Sequence, residues 1–246
     1  MSAIDIFVFA IAVLIASLIV LKILVYFLFA LTILFFDCIK IRRYKKSNGE
    51  AEINEKLTVE NCSSKIKKLI MRYYNGVYKF MVKKVAHIPS HSIRKFLYRH
   101  LFRVKIGKRV TIYHGLEIIC GFKISIGEGT IIGDNCILDG RGGLEFGKNI
   151  NLSSDVCIWT MQHSINDEDF CGSGGKVIVK DRAWISSNTT VLPNVCVGEG
   201  AVLASGAVAT KNLEDYKVYG GIPAKEIGVR NSNLSYEFDG KPCWYL

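Results

Sequence analysis

Between Val179 and Ala209 an aliphatic or small residue returns at every sixth position: Val179, Ile185, Val191, Val197, Leu203 and Ala209. The same interval links Ile106, Ile112 and Ile118, then Ile126, Ile132 and Leu138, then Phe146, Leu152 and Ile158. The three earlier blocks begin 20 residues apart, each followed by Gly (Gly107, Gly127, Gly147), whereas Val179 to Val197 takes 18. Eighteen residues are three hexapeptides, one triangular coil of a left-handed parallel β-helix, and twenty are the same coil with a two-residue bulge at a corner. Each short strand turns one side chain inward to stack on its equivalent in the next coil. The residues after it make a corner, where Gly, Asn and Asp accept the backbone angles of a tight turn. Asp134-Asn135, Gly147-Lys148-Asn149 and Gly198-Glu199-Gly200 stand at such places. The predicted main domain is therefore all-β, a left-handed parallel β-helix over residues 105–230, with a tail at 231–246.

The N-terminus obeys different rules. From Ile4 to Phe36 the only charged residues are Asp5 and Lys22. A signal peptide has a basic start and only ~7–15 apolar residues, whereas a transmembrane helix needs ~20. Residues 1–38 are thus expected to be a membrane anchor. A single tilted helix is favoured over a re-entrant hairpin bent near Lys22, because no Gly or Pro interrupts the run. Lys40, Arg42, Arg43, Lys45 and Lys46 follow directly, and the positive-inside rule puts the rest of the chain in the cytoplasm. Eight Cys without a CxxC or framework spacing suit reduced thiols there.

The formal charge of +10 is unevenly held. Residues 40–109 carry 20 Lys or Arg against 4 Asp or Glu, and the remainder is net −6. Basic residues beside a bilayer span suit anionic lipid headgroups, and nucleic acid is not expected as a partner. Within this juxtamembrane region (39–104), residues 63–86 show helical spacing of Ile66, Leu69, Ile70, Tyr73, Val77, Phe80, Met81 and Val85, with Lys and Arg on much of the other face. Such a helix either lies in the membrane interface or packs on the main domain. Pro89 ends it, and Ser90 or Ser92 caps a second basic helix from Ile93 to Phe102.

The stretch from Val177 to Lys211, with Val-Lys-Asp-Arg-Ala-Trp-Ile-Ser-Ser-Asn and Val-Gly-Glu-Gly-Ala-Val-Leu-Ala-Ser-Gly-Ala-Val at its centre, resembles the hexapeptide-repeat acetyltransferases. The sugar and polysaccharide O-acetyltransferases are the branch it looks most like. Asp139-Gly-Arg-Gly-Gly143 is similar to the substrate-side loop of that branch, and Tyr219-Gly-Gly-Ile-Pro-Ala-Lys225 to its terminal segment. The resemblance spans residues 104–230. It implies a homotrimer that binds acetyl-CoA between subunits, needs no metal, and acetylates a sugar hydroxyl.

Residue by residue, the resemblance makes His163 the general base. It closes a coil just before the long polar insertion Ser164–Lys176, and a sugar hydroxyl needs a base to become a nucleophile. Asp139 and Arg141 are implied to face the acceptor, and Asp167, Glu168 and Asp169 either bind sugar hydroxyls, orient His163 or simply solvate the loop. For CoA, Trp184 and Ser187 are implied to flank the thioester arm. Ser205 offers a backbone amide, and Thr210, Lys211 and Lys225 meet the nucleotide end. N-acetylation of an amino sugar is the nearest alternative, and a non-catalytic β-helix scaffold is the alternative from another class. A zinc carbonic anhydrase on this fold needs three His ligands, whereas the repeats hold only His114 and His163.

Overall fold

The computed structural model describes residues 3–46 and 65–241. Three helices precede a three-faced parallel solenoid: α1 (Ala3–Lys46), α2 (Lys65–Ala86) and α3 (His91–His100). Face A stacks Lys105–Ile106, Ile124–Ile126, Leu144–Phe146, Val177–Val179 and Cys196–Val197. Face B runs from Thr111–Ile112 through Ile131–Ile132, Asn151–Leu152, Trp184–Ile185 and Val202–Leu203 to Lys217–Gly220, with Lys225–Val229 turned back antiparallel at its edge. Face C stacks Glu117–Ile119, Ile137–Asp139, Cys157–Ile158, Thr190–Val191 and Val208–Ala209. The chain visits A, B and C in turn, so three corners form: A–B, B–C and C–A.

The sixth-position residues line the centre of the core, beside the residues two places before them, such as Leu144, Ile150, Val177 and Ala183. Ile112 pairs with Ile132, Ile132 with Leu152, Leu152 with Ile185 and Ile185 with Leu203. From Ile112 onward every member of the series lies 0–5% exposed. Burying each aliphatic side chain contributes about 1.5–3 kcal/mol before chain entropy is set against it. Corners carry Asn135, Asn149, Asn188 and Asn194 at positive φ. At Gly127 a Cβ would stand 2.1 Å from the Gly147 carbonyl oxygen, so at this A–B corner the next turn approaches too closely for a side chain. The two extra residues of the 20-residue coils sit at the C–A corner, in Cys120–Lys123 and Gly140–Gly143. That corner also extrudes the long insertion.

The first coil has no strand below it, and its carbonyls would be an open edge. α3 closes that edge with side chains. Arg94 donates to the Ile112 carbonyl (2.9 Å), Lys95 to Val110 (3.1 Å), Tyr98 to Leu116 (2.6 Å) and Arg99 to Ile106 (2.9 Å). Arg94 and Tyr98 are fully buried in doing so. The helix begins two residues earlier than the sequence indicated, with Ser90 as its N-cap accepting from the Ile93 amide.

α1 is one unbroken helix, with no bend at Lys22, and it continues through the basic residues to Lys46 instead of ending near residue 38. α2 packs antiparallel on its second half: Phe80 meets Tyr26 and Phe29, and Tyr74 meets Phe36. Tyr74 also donates to buried Asp37 (2.5 Å). Further along α2, Tyr78 accepts from the Gly121 amide, and Tyr44 of α1 packs on Phe122. α2 therefore packs on α1 and the first coil through Tyr74, Val77, Tyr78, Met81, Val82 and Val85. Ile66, Leu69, Ile70 and Tyr73 stay exposed near its start.

The tail after Arg230 runs back down the A–B corner. Arg230 donates to the carbonyls of Arg182 and Gly200, Tyr236 donates to Arg182, the Phe238 amide donates to Asn149, and Glu237 pairs with Arg109 of the first coil at 2.9 Å.

Arg94→Met keeps most of the buried volume but removes the donors on the edge carbonyls, at about 1–3 kcal/mol per buried acceptor left unpaired. We expect a clearly lowered unfolding temperature for the detergent-solubilised protein. Arg99→Met, at an exposed site, should change it little. Equal stability of the two variants would show that the side-chain cap does not hold the edge.

Candidate active site

His163 stands on a hairpin that leaves the solenoid at the C–A corner. Met161–His163 pairs antiparallel with Gly172–Gly174, Met161 facing Gly174 and His163 facing Gly172. The Ser164 amide donates to the Cys171 carbonyl (2.9 Å) and closes the loop. The imidazole is exposed and lies flat against the Phe170 ring, 4.1 Å between centroids and 9° between planes. Its Nδ1 is 2.8 Å from the Phe170 carbonyl oxygen. A carbonyl only accepts, so Nδ1 carries the hydrogen, and Nε2 keeps the lone pair that can take a proton. No loop carboxylate orients the ring; the partner is this backbone carbonyl.

Asp139 corrects an expectation. Read as facing the acceptor, it is instead fully buried with both oxygens engaged. Oδ1 accepts from the amide and Nε of Arg141 (3.0 Å each). Oδ2 accepts from Nη2 of Arg141 (3.0 Å) and from the amides of Thr160 and Met161 (3.2 Å each). A carboxylate with five donors is held inside by them, and here it pins the root of the hairpin. Thr160 adds to that root: its Oγ1 accepts from the Gly142 amide (2.8 Å) and its carbonyl from the Gly175 amide (2.9 Å). Gly174 is required there, since a Cβ would lie 2.3 Å from the Thr160 carbonyl oxygen at a φ of +154°. Arg141 keeps about half of its side chain exposed beside the hairpin while gripping Asp139.

The residues expected to meet CoA fall into two groups. Trp184, 43% exposed, reaches toward the B–C corner, where its Nε1 donates to Ser153 Oγ (3.3 Å). Ser187 and Ser205 occupy that corner on successive turns, joined by the Gly206 amide donating to the Ser187 carbonyl (3.0 Å). Lys225 is exposed at the start of the last strand of face B, opposite Gly220. Thr210 and Lys211 are exposed at the C–A corner, two turns beyond Thr160. Thus His163, Thr210 and Lys211 share one corner of face C, and Trp184, Ser187 and Ser205 share the other. Arg230, another basic residue of this end, is committed to the carbonyls of the A–B corner.

Phe170 and Thr160 were not singled out in the sequence. Phe170 left a faint signal there, one of two large apolar residues (with Ile165) in a polar loop. Asp167, Asp169 and Cys171 lie together because Asp167 Oδ1 accepts from the amides of the other two. Cys157, on face C, has its thiol pKa raised by burial and then by Asp155, which disfavours a thiolate nucleophile at neutral pH.

No protein-family model matches the sequence. YvoF of Bacillus subtilis, named as an acetyltransferase, is 30% identical over 151 residues, 60% of this chain and 74% of that protein. WcaF of Escherichia coli, named as a colanic acid biosynthesis acetyltransferase, is 28% identical over 137 residues, 56% of this chain and 75% of its own length. Among solved structures, the hexapeptide-repeat-containing acetyltransferase VCA0836 of Vibrio cholerae shares the fold with a TM-score of 0.60 at 21% identity, over 70% of this chain and 96% of that one. Identity of this extent to an acetyltransferase, on a solenoid built from the same repeat, means that the chain belongs to the hexapeptide-repeat acetyltransferase family.

Proposed function

We propose that this protein is a membrane-anchored O-acetyltransferase that moves an acetyl group from acetyl-CoA to a hydroxyl of a glycan or lipid-linked sugar. The observation that carries the reading is His163, held in the Nδ1–H tautomer on a hairpin at a solenoid corner. Nε2 takes the proton of the sugar hydroxyl as its oxygen adds to the thioester carbonyl. The tetrahedral intermediate then collapses with cleavage of the C–S bond, and the departing CoA sulfur takes the proton back from the imidazolium. The products are the acetyl ester, free CoA thiol and neutral His163. Arg141, partly exposed beside the hairpin, is suited to an acidic or hydroxyl-rich acceptor. The colanic acid name of WcaF supports a polysaccharide precursor as that acceptor.

A single chain cannot enclose acetyl-CoA with residues at opposite corners of face C. Docking the C–A corner of one copy against the B–C corner of the next unites the two groups, and such a head-to-tail contact closes when three copies meet. Face C supports this arrangement. Its outward residues Ile137, Cys157, Trp159, Leu192 and Val208 are apolar and only half-buried in one chain, whereas the A–B corner is already covered by the tail.

The anchor reading rests on α1, a helix long and apolar enough to cross a membrane, with Leu14, Leu18, Val20 and Ile23 more than half exposed. Residues 4–25 precede the ring packing that begins at Tyr26, and they match the ~20 residues a span requires. The basic run from Lys40 to Lys46 and the lysines of α2 would then face anionic headgroups of the cytoplasmic leaflet.

His163→Ala should lower acetyl transfer by ~10²–10⁴-fold while leaving CoA binding unchanged; mass spectrometry of a glycan panel incubated with acetyl-CoA measures it, and undiminished turnover would remove His163 as the base. A second expectation concerns the shared groove. When His163→Ala and Trp184→Ala chains, each impaired alone, are co-expressed, activity should return in about a quarter of the grooves, because one groove of a mixed trimer then has both corners intact. Failure of mixing to restore any activity, in a preparation shown by light scattering to be a mixed trimer, would place the site within single chains.

A further inference from the structure

We infer that the loop between the hairpin strands is a positioning device for His163, in which Asp167 folds the turn and Phe170 grips the imidazole by its carbonyl and its ring. The inference rests on the reading of His163 as the base, and goes beyond it by assigning what makes that base competent.

Asp167 organises the loop through bonds to the backbone. Its Oδ1 accepts from the Asp169 amide at 2.9 Å and the Cys171 amide at 3.3 Å, and its own carbonyl accepts from the Phe170 amide at 3.0 Å. Four residues are thereby wound into a tight turn. At its end Phe170 takes a left-handed conformation, φ +50°. For a bulky L-residue that backbone is unfavourable, so it persists only where neighbouring bonds impose it. The reversal returns the Phe170 carbonyl to the ring of a residue seven positions earlier, and brings the phenyl face flat against the same imidazole.

Within one chain the phenyl group is 63% exposed, and its face contact is with the imidazole. What it does is fix the imidazole plane, while the carbonyl fixes the tautomer. An unrestrained surface histidine turns about its ring torsion and carries its hydrogen on either nitrogen. With the hydrogen on Nε2, that nitrogen cannot accept the hydroxyl proton. The loop removes both freedoms and so raises the fraction of chains ready to react.

Variants of the full-length, detergent-solubilised protein test this. Asp167→Ala should lower kcat by about tenfold, a part of the ~10²–10⁴ that a general base contributes, with KM for acetyl-CoA unchanged. Asp167→Asn keeps an Oδ1 that accepts the same amide bonds, and should restore kcat to within about twofold of the parent. Phe170→Ala should fall between the two, and Phe170→Tyr should match the parent. In a His163→Ala background, Asp167→Ala should produce no further loss, because the loop acts only through that ring.

Equal damage from Asp167→Asn and Asp167→Ala would overturn the inference in favour of a role for the carboxylate charge. So would a further loss in the His163→Ala background, which would mean that the loop contacts the acceptor directly. Full turnover by His163→Ala alone would instead refute the base assignment, an outcome separate from failure of the loop variants.

Discussion

The core of this solenoid is a single narrow stack of side chains, and most other features follow from that. Each hexapeptide sends its sixth-position residue inward together with the residue two places before it, as Ile150 with Leu152 and Ala183 with Ile185 show, and Ile112, Ile132, Leu152, Ile185 and Leu203 form one column on face B. A volume error at one level passes directly to the levels above and below. Functional groups can therefore stand only on outward faces and at corners, where the backbone turns and side chains are free of the column.

A solenoid also has ends, and its first coil has to be closed by something that is not another coil. Here the closure is a set of long polar side chains from α3, with fully buried Arg94 and Tyr98 donating to edge carbonyls. α2 and the second half of α1 are layered against the same end through Tyr74, Tyr78 and Phe102. The basic segments α2 and α3 are consequently integral to the folded domain. Their charge is partly structural, since Arg94, Lys95 and Arg99 are the edge cap.

The parts of this arrangement that were legible in the sequence are those with a period. The sixth-position residues announced the faces, and the difference between 18 and 20 residues announced a bulge that the structure assigns to the C–A corner. What stayed illegible depends on contacts between turns. Asp139 reads as a polar residue beside a Gly-rich loop, and nothing local shows that the amides of Thr160 and Met161, a full turn away, will enclose it. Helix α1 passes residue 38 because Asp37 and Tyr44 find partners in Tyr74 and Phe122, neither of which is near in sequence. The carbonyl that orients His163 belongs to a phenylalanine, and no side-chain chemistry marks a backbone acceptor in advance.

The C–A corner gathers several of these long-range contacts into one line. Tyr44, near the end of α1, lies against Phe122, and Lys123 sits over the Tyr44 ring at 4.7 Å. Lys123 also donates to the Arg141 carbonyl (3.3 Å), and Arg141 grips Asp139, which holds the amides at the root of the hairpin. These contacts rise through successive turns of one corner, at the ~4.8 Å spacing of neighbouring strands. The insertion that carries His163 thus leaves the solenoid above the point where α1 meets it. Because Asp139 is buried and each link is a direct contact, His163 and the end of α1 belong to one packed body. A corner bulge costs the core little, since the inward residues keep their register across it, as Leu138 pairing with Ile158 shows. The fold can therefore carry its chemistry at this corner without disturbing the column that stabilises it.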